Sequence, residues 1–266
     1  MAKDMVRHLM AQNLIVRRLD FAGYKEARAV VREFRGSVPP LLTAPNGNTK
    51  LAKSERPTYG LSLLPANLSV KWSVCRYSTP GCREACLNTA GKGTFDNVQY
   101  GRFWKTMFLG EHPQTFLDLL VFEVDNAVAK HGHIALRLNV ISDIPWERVA
   151  PNLFDMWQDD VVFYDYTKWP DRRSSDVLDV TFSASENTTY QKIVGRSRVG
   201  ENVAVVFDTP PGVPLPVKWH GVPVVDGDES DDRAKDDRGV VVGLRAKGKA
   251  KRDTSGFVRK VEGAKQ

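Results

Sequence analysis

The sequence predicts an α/β fold built on parallel strands, arranged as a full or partial (β/α) barrel. Three observations carry that prediction. Apolar runs of strand length alternate with helical patterns between residues 134 and 244, and strands alternating with helices form parallel βαβ units. Polar residues stand directly after several of those runs, where parallel α/β folds place their ligands. The 266 residues, 42% of them hydrophobic, are enough for one sizeable core.

Residues 1–36 read as an amphipathic helical cap, with Met5, Leu9, Leu14, Leu19 and Phe21, then Ala27, Val30, Val31 and Phe34, set among charged residues up to Gly36. Residues 37–57 are rich in Pro, Asn, Gly and Thr and read as a loop. Residues 58–260 form the barrel-like domain and 261–266 a tail. Part of Tyr59–Val70 is the strand feeding the next segment. Helices are expected around Asn97–Phe108 and Pro113–Lys130, the second opening on a first-turn proline. Strands follow at Ile134–Ile141, Val161–Tyr166, Leu178–Phe182, Val203–Phe207, Val222–Val225 and Val240–Leu244, with helices at Val149–Trp157 and Thr188–Val194.

The chemistry gathers in Lys71–Lys92, KWSVCRYSTPGCREACLNTAGK, which holds all three cysteines, Cys75, Cys82 and Cys86. Three thiols cannot all pair. With no apolar signal segment after Met1, a reducing cytoplasm is the expected setting. Thiol trios there are more often metal or iron–sulfur ligands than staples. Thr79-Pro80-Gly81 reads as a tight turn, and a helix beginning at Cys82 would bring Cys82 and Cys86 onto one face. Structural zinc and ferredoxin clusters take four ligands. A [4Fe–4S] cubane on three cysteines leaves one iron open, the arrangement by which radical S-adenosylmethionine (SAM) enzymes bind their cofactor, although their common spacing is CxxxCxxC. The alternatives are a zinc completed by His131 or His133, and inert buried thiols.

Ser142-Asp143, Asp165 to Lys168, Ser183 to Ser185, Asp208 and Asp226 to Asp228 all follow strands. Some of these cap helices. Arg137 and Asn139 alternate with Leu136 and Leu138 inside a strand, where a charge needs a partner. Arg137, Asn139, Asp143, Asp165 and Lys168 are therefore the candidate substrate-binding residues. Lys247 and Lys249 join them from the basic run Arg245–Arg252, a loop able to close on an anionic ligand or, equally, a solvated tail. The acidic run from Asp226 begins like a calcium loop, but Asp231 stands where that loop needs glycine and Asp237 where it closes on glutamate.

Charge and hydropathy bound the partners. Lys and Arg outnumber Asp and Glu 38 to 32, giving a net +6 and a pI near 9.2, which admits nucleic acid or anionic substrates. Arg17, Arg18, Arg28, Arg32 and Arg35 would serve a nucleic-acid-binding arm, or simply a solvated face. A small anionic substrate is favoured over nucleic acid, because no aromatic residue that stacks on bases lies between Val240 and Gly256. No run is long enough to cross a membrane.

The segments STPGCREACLNTAGK, RLNVISDIPW, FYDYTK and DGDESDDRAKDDRGVVVGLRAKGKAKRDTSGF together resemble the phage family gene product 88. The cysteine turn is also similar to the radical-SAM-like three-Cys-motif proteins of phages, whose last two cysteines are closer by one residue. The resemblance implies a phage-encoded, barrel-like, radical-SAM-like iron–sulfur protein in the host cytoplasm, and it carries over the cysteines alone. The expectation is a [4Fe–4S] cluster on Cys75, Cys82 and Cys86, with radical-SAM-type chemistry on an unknown substrate. The competing readings are a non-catalytic iron–sulfur protein and a three-Cys zinc protein binding nucleic acid.

Overall fold

A computed structural model describes residues 2–47, 56–66, 68, 71–230 and 232–261. Parts of the expected loop 37–57 (48–55), of Tyr59–Val70 (67, 69 and 70) and of the tail (262–266), together with Asp231, lie outside the described residues. The strands are β1 (Lys3–Asp4), β2 (Leu42–Thr43), β3 (Thr58–Leu61), β4 (Trp72–Ser73), β5 (Ile134–Arg137), β6 (Val161–Thr167), β7 (Leu178–Ser183), β8 (Val203–Phe207), β9 (Lys218–Trp219), β10 (Val222–Asp226), β11 (Val241–Arg245) and β12 (Val258–Arg259). The helices are α1 (Met5–Met10), α2 (Phe21–Arg35), α3 (Pro80–Glu84), α4 (Asp96–Glu111), α5 (Pro113–His131), α6 (Trp146–Val149) and α7 (Tyr190–Arg198).

The fold is mixed α/β around one large, mostly parallel sheet of order β2-β3-β5-β6-β7-β8-β11-β10-β9. From β3 to β8, apart from β4, which pairs with β1 in a separate two-stranded sheet, each strand lies beside the next in parallel, as in singly wound α/β units. The order then inverts, because β11 takes the place beside β8 and leaves β10 outside it. Both ends of the path are antiparallel, and among the described residues they do not meet. The ladder is thus an open path and not the closed one a full barrel requires.

Alternation of side chains along β8 builds two environments. Val203, Val205 and Phe207 pack with Ile193 of α7, Trp219 and Val241. On the other face Ala204 meets Val240 and Val242, while Val206 meets Ala85, Ala246 and Ala250. The main core lies under α4 and α5, against β5 and β6, and includes Met5, Val6, Leu9, Ala27 and Val31 from the N-terminal helices. Burial of each such side chain contributes about 1.5–3 kcal/mol, so α1 and α2 are part of the domain's core.

The expected loop 37–57 contributes β2 to the sheet, and the helix expected at Thr188–Val194 is α7, capped by Thr189 and running on to Arg198; three further differences have a local reason. Residues 13–20 are not helical: Asn13 turns the chain at φ +49°, and the stretch is bonded to α5 through Ile15–Gln114, Arg17–Asp118 and Arg18–Asp125. The expected helix Val149–Trp157 is split into α6 and a 3-10 turn at Phe154–Trp157. Pro151 forces Ala150 out of the helical region, to φ −139° and ψ 77°. Strand β5 ends at Arg137, not Ile141, because the Asn139 side chain organises the next residues into a loop, accepting from Ser142 Oγ and Ile144 N and donating to Ile144 O.

Candidate functional site at the carboxyl edge of the sheet

The cysteine segment sits at the carboxyl ends of the parallel strands. Val74, just past β4, accepts from the Asp143 amide at 2.9 Å, and Cys75 Sγ donates to Ile141 O at 3.7 Å. Ser78 closes the turn after Cys75, its N and Oγ both donating to Cys75 O. Thr79 is the N-cap of α3, with Pro80 in the first turn and its hydroxyl accepting from Cys82 N. The expected tight turn is therefore a helix start. Helix α3 ends at Glu84, so Cys86 lies beyond it in extended backbone, at φ −54° and ψ 135°. The one-face spacing expected for Cys82 and Cys86 is absent, since α3 is little more than a turn long.

Two long-range contacts clamp this segment. Glu186, in the loop after β7, accepts from Thr79 Oγ1 at 2.6 Å and from Gly81 N at 2.8 Å. Gly81 leaves room for the clamp: a Cβ there would lie 2.3 Å from Ser255 Oγ and 2.8 Å from the Glu186 carboxyl. From the C-terminal side, the 3-10 turn Gly248–Arg252 packs on the turn Leu87–Thr89, where Thr89 Oγ1 accepts from Lys249 N at 3.2 Å. Gly248 has φ +55°, and a Cβ on it would come within 2.6 Å of Thr89 O, so this close approach needs glycine.

The three thiols feel one another electrostatically. Burial above all, with the charges of Asp143, Cys82 and Cys86 adding to it against a backbone bond at Ala66, pushes Cys75 up to about 12. Burial also raises Cys82, against the pull of Lys168. Cys86 is raised by burial, against a backbone bond at Asn88 and the cations Arg102 and Lys168. Left to themselves the thiols are neutral, and a bound cation is what would hold them as thiolates. Among the described residues no three His, Cys, Asp or Glu side chains are placed to hold one metal ion. A structural zinc takes four ligands at about 2.0–2.3 Å from one centre, and three thiols are one short of that set. His131 ends α5 and His133 precedes β5, at the amino end of the strand whose far end meets Cys75. Neither reaches the cysteines as a fourth ligand.

Around the thiols stands a buried polar network. Asp143 accepts from Thr167 Oγ1 at 2.7 Å and Lys168 N at 2.8 Å, and burial raises it to about 6. Lys168 Nζ donates to Ser183 Oγ at 2.8 Å. Asp165 pairs with Arg172 at 2.7 Å and accepts from Asn139, and burial raises its carboxyl. Arg137 donates to the carbonyls of Asn139 and Val140 and lies 4.6 Å from the Tyr166 ring centre. So Asp143 and Lys168 stand in electrostatic range of the cysteines, Asp165 and Asn139 form the layer beneath, and Arg137 braces the loop after β5.

Lys247 and Lys249 stand farther round the same edge. Lys247 Nζ donates to Asp228 at 2.6 Å, and Arg245 pairs with Asp226 at 2.7 Å, which gives the two acids of the calcium-like run cations of their own. Lys249 is exposed. A cleft of about 470 Å³ opens here, lined by Gly91, Gly212, Asp228, Arg245, Lys247 and Lys251. Sequence reasoning missed Arg172 and Glu186. Arg172 had a signal, since Asp143, Glu147 and Asp165 placed at buried strand ends demand a cation. Glu186 had none, because its partners are more than 100 residues away.

The gene product 88 family model matches residues 40–261, which span the large sheet, the cysteine segment and the basic run. No curated protein and no solved structure matches. The chain belongs to the gene product 88 family.

Proposed function

We propose that this family member is a phage iron–sulfur protein whose [4Fe–4S] cluster is anchored by Cys75, Cys82 and Cys86. The observation that supports the reading is that the chain's three cysteines lie within electrostatic range of one another at the carboxyl edge of a parallel sheet. A cluster spreads its anchors more widely than a single ion, and Lys168 and Arg102 supply positive charge beside its thiolates. Held by three thiolates, such a cluster leaves one iron for a small ligand such as SAM, and supplies one-electron chemistry. The singly wound run β3 to β8 supports the partial-barrel, radical-SAM-like form of this reading. The cleft beside Lys247 and Lys251 suits a small anionic substrate. No helix among the described residues is long and apolar enough to cross a membrane, and the reduced thiols suit the host cytoplasm.

Anaerobic reconstitution with iron and sulfide tests the assignment. The protein should turn brown, and Cys75→Ala, Cys82→Ala and Cys86→Ala should each lose the colour. A colourless chain that retains one tight zinc would overturn it. Binding of SAM to the reconstituted protein then separates the enzyme from a non-catalytic iron–sulfur protein serving electron transfer, sensing or host interaction.

A further inference from the structure

The turn Leu87–Thr89, just after Cys86, joins two surfaces of opposite character. On one side it is bonded to α4: the buried Asn88 Oδ1 accepts from Gln99 Nε2 at 2.9 Å and from Arg102, and both side chains also donate to Gly93 O. On the other side Thr89 meets Lys249 and Gly248 of the basic run. Along the α4 side, four large apolar side chains lie in the open within seventeen residues of sequence. They are Leu87 (50% exposed), Phe95 (56%), Tyr100 (54%) and Phe103 (42%). Tyr100 and Phe103 are three apart on α4 and so neighbours on one face. Exposed apolar side chains grouped in this way mark an interaction surface.

The cations around the group identify its partner. The guanidinium of Arg35, from α2, lies 5.3 Å from the Tyr100 ring centre and 5.1 Å from that of Trp104, and its Nη1 donates to Ser37 Oγ. It is therefore already stacked and fixed, which lowers the entropy cost of binding. Arg32 on α2 and Lys92 on the turn Gly91–Thr94 are exposed nearby. Across Leu87–Thr89, Lys249, Lys251 and Arg252 are exposed as well. Asp96, in the first turn of α4, is an acid on the same face as Tyr100 and Phe103. A strip of exposed rings bordered by cations is the stacking platform and electrostatic groove of single-strand nucleic-acid binding. The basic run lacks aromatic residues of its own, and the fold supplies them from α4.

We infer that single-stranded nucleic acid lies along α4 and crosses the Leu87–Thr89 turn to the basic run, its bases on Tyr100 and Phe103 and its phosphates on Lys92, Lys249 and Lys251. The surface stands whether or not the cysteines hold a cluster. It passes directly beside them, since Arg102 on α4 is in electrostatic range of Cys86.

The test is fluorescence anisotropy of the full-length protein with short labelled oligothymidylate and oligouridylate, titrated at several salt concentrations. Binding should weaken linearly in log–log form, with a slope of about −0.7 for each phosphate contacted. Tyr100→Ala and Phe103→Ala should each cost about 5- to 150-fold in affinity, corresponding to about 1–3 kcal/mol per stacked base, with the salt slope unchanged. Lys249→Ala/Lys251→Ala should flatten the slope, and Asp96→Asn should tighten binding. All these positions are exposed, so an unchanged melting temperature confirms that the variants fold. No binding at low salt, or wild-type affinity in Tyr100→Ala/Phe103→Ala, would overturn the inference. So would a sedimentation experiment showing a homodimer that the same double variant dissociates, which would assign the strip to a second copy of this chain.

Discussion

Two ion clusters stand on the carboxyl edge of one sheet, and they use the same residue types differently. The inner one joins Arg172 to Asp165, Glu147 and Asp143, and the Arg172 side chain is only 1% exposed. The outer one joins Arg245 and Lys247 to Asp226 and Asp228, with Lys247 44% exposed. In the inner cluster Arg172, Asp165 and Asp143 are shielded and only Glu147 reaches water, so each buried charge depends on the others. In the outer cluster Lys247 stands in water while Arg245, Asp226 and Asp228 are partly covered, so a ligand can take over Lys247 at small cost. Burial, more than pairing, separates the part of this edge that holds the fold from the part able to bind.

The largest expected effect comes from breaking the inner cluster. Arg172→Met leaves buried carboxylates uncompensated and should destabilise the protein by about 3–5 kcal/mol, read from urea unfolding. The double variant Arg172→Met/Asp165→Asn should recover part of that loss, and strict additivity of the two changes would argue against a coupled network.

A buried cation without a close carboxylate sharpens the contrast. Among the described residues Lys105 Nζ donates to Leu41 O alone, at 3.0 Å, and burial lowers it from 10.5 to about 8 despite Glu123. Below its folded value the native state carries the whole penalty of a buried charge. Between about pH 8 and 10.5 the unfolded chain holds this proton more tightly than the native one, so this group makes stability rise with pH, by about 3 kcal/mol in all. Subtracting the profile of Lys105→Met from that of the wild type should isolate the rise. A flat difference would show that Lys105 is not desolvated.

Gly81→Ala tests the clamp between the clusters. Its Cβ would press on Ser255 and Glu186, at a cost of about 1–3 kcal/mol, and iron uptake should fall while the inner network keeps its stability. The smallest effect belongs to the outer cluster. Lys247→Ala should shift unfolding by less than about 1 kcal/mol, and added salt should erase even that.

Strands β6, β7, β8 and β11 were legible in the sequence to within a residue or two, because runs such as VVFY and VAVVF are both β-branched and apolar. The polar residues that end them pointed to the site for the same reason. What stayed hidden was set at a distance. No local pattern makes β11 rather than β10 the neighbour of β8. Nothing in the composition of residues 13–20 reveals that Gln114, Asp118 and Asp125, spaced along α5, will hold them extended. The cysteines themselves were plain to see, whereas Glu186, which fixes their turn, and Ser255, which packs on Gly81, become visible only once the chain has closed on itself.

That closure has a consequence in time. The last segment covers the cysteine turn and then enters the sheet as β12, pairing with the end of β8 at Val206 and Phe207. Lys249 and the Thr89 that it meets are 160 residues apart in the chain. At a synthesis rate of roughly 5–20 residues per second, the nascent thiols leave the ribosome on the order of 10 s before their cover is made. A metal or cluster taken up by the thiols would therefore meet an open turn during translation and a partly covered one afterwards.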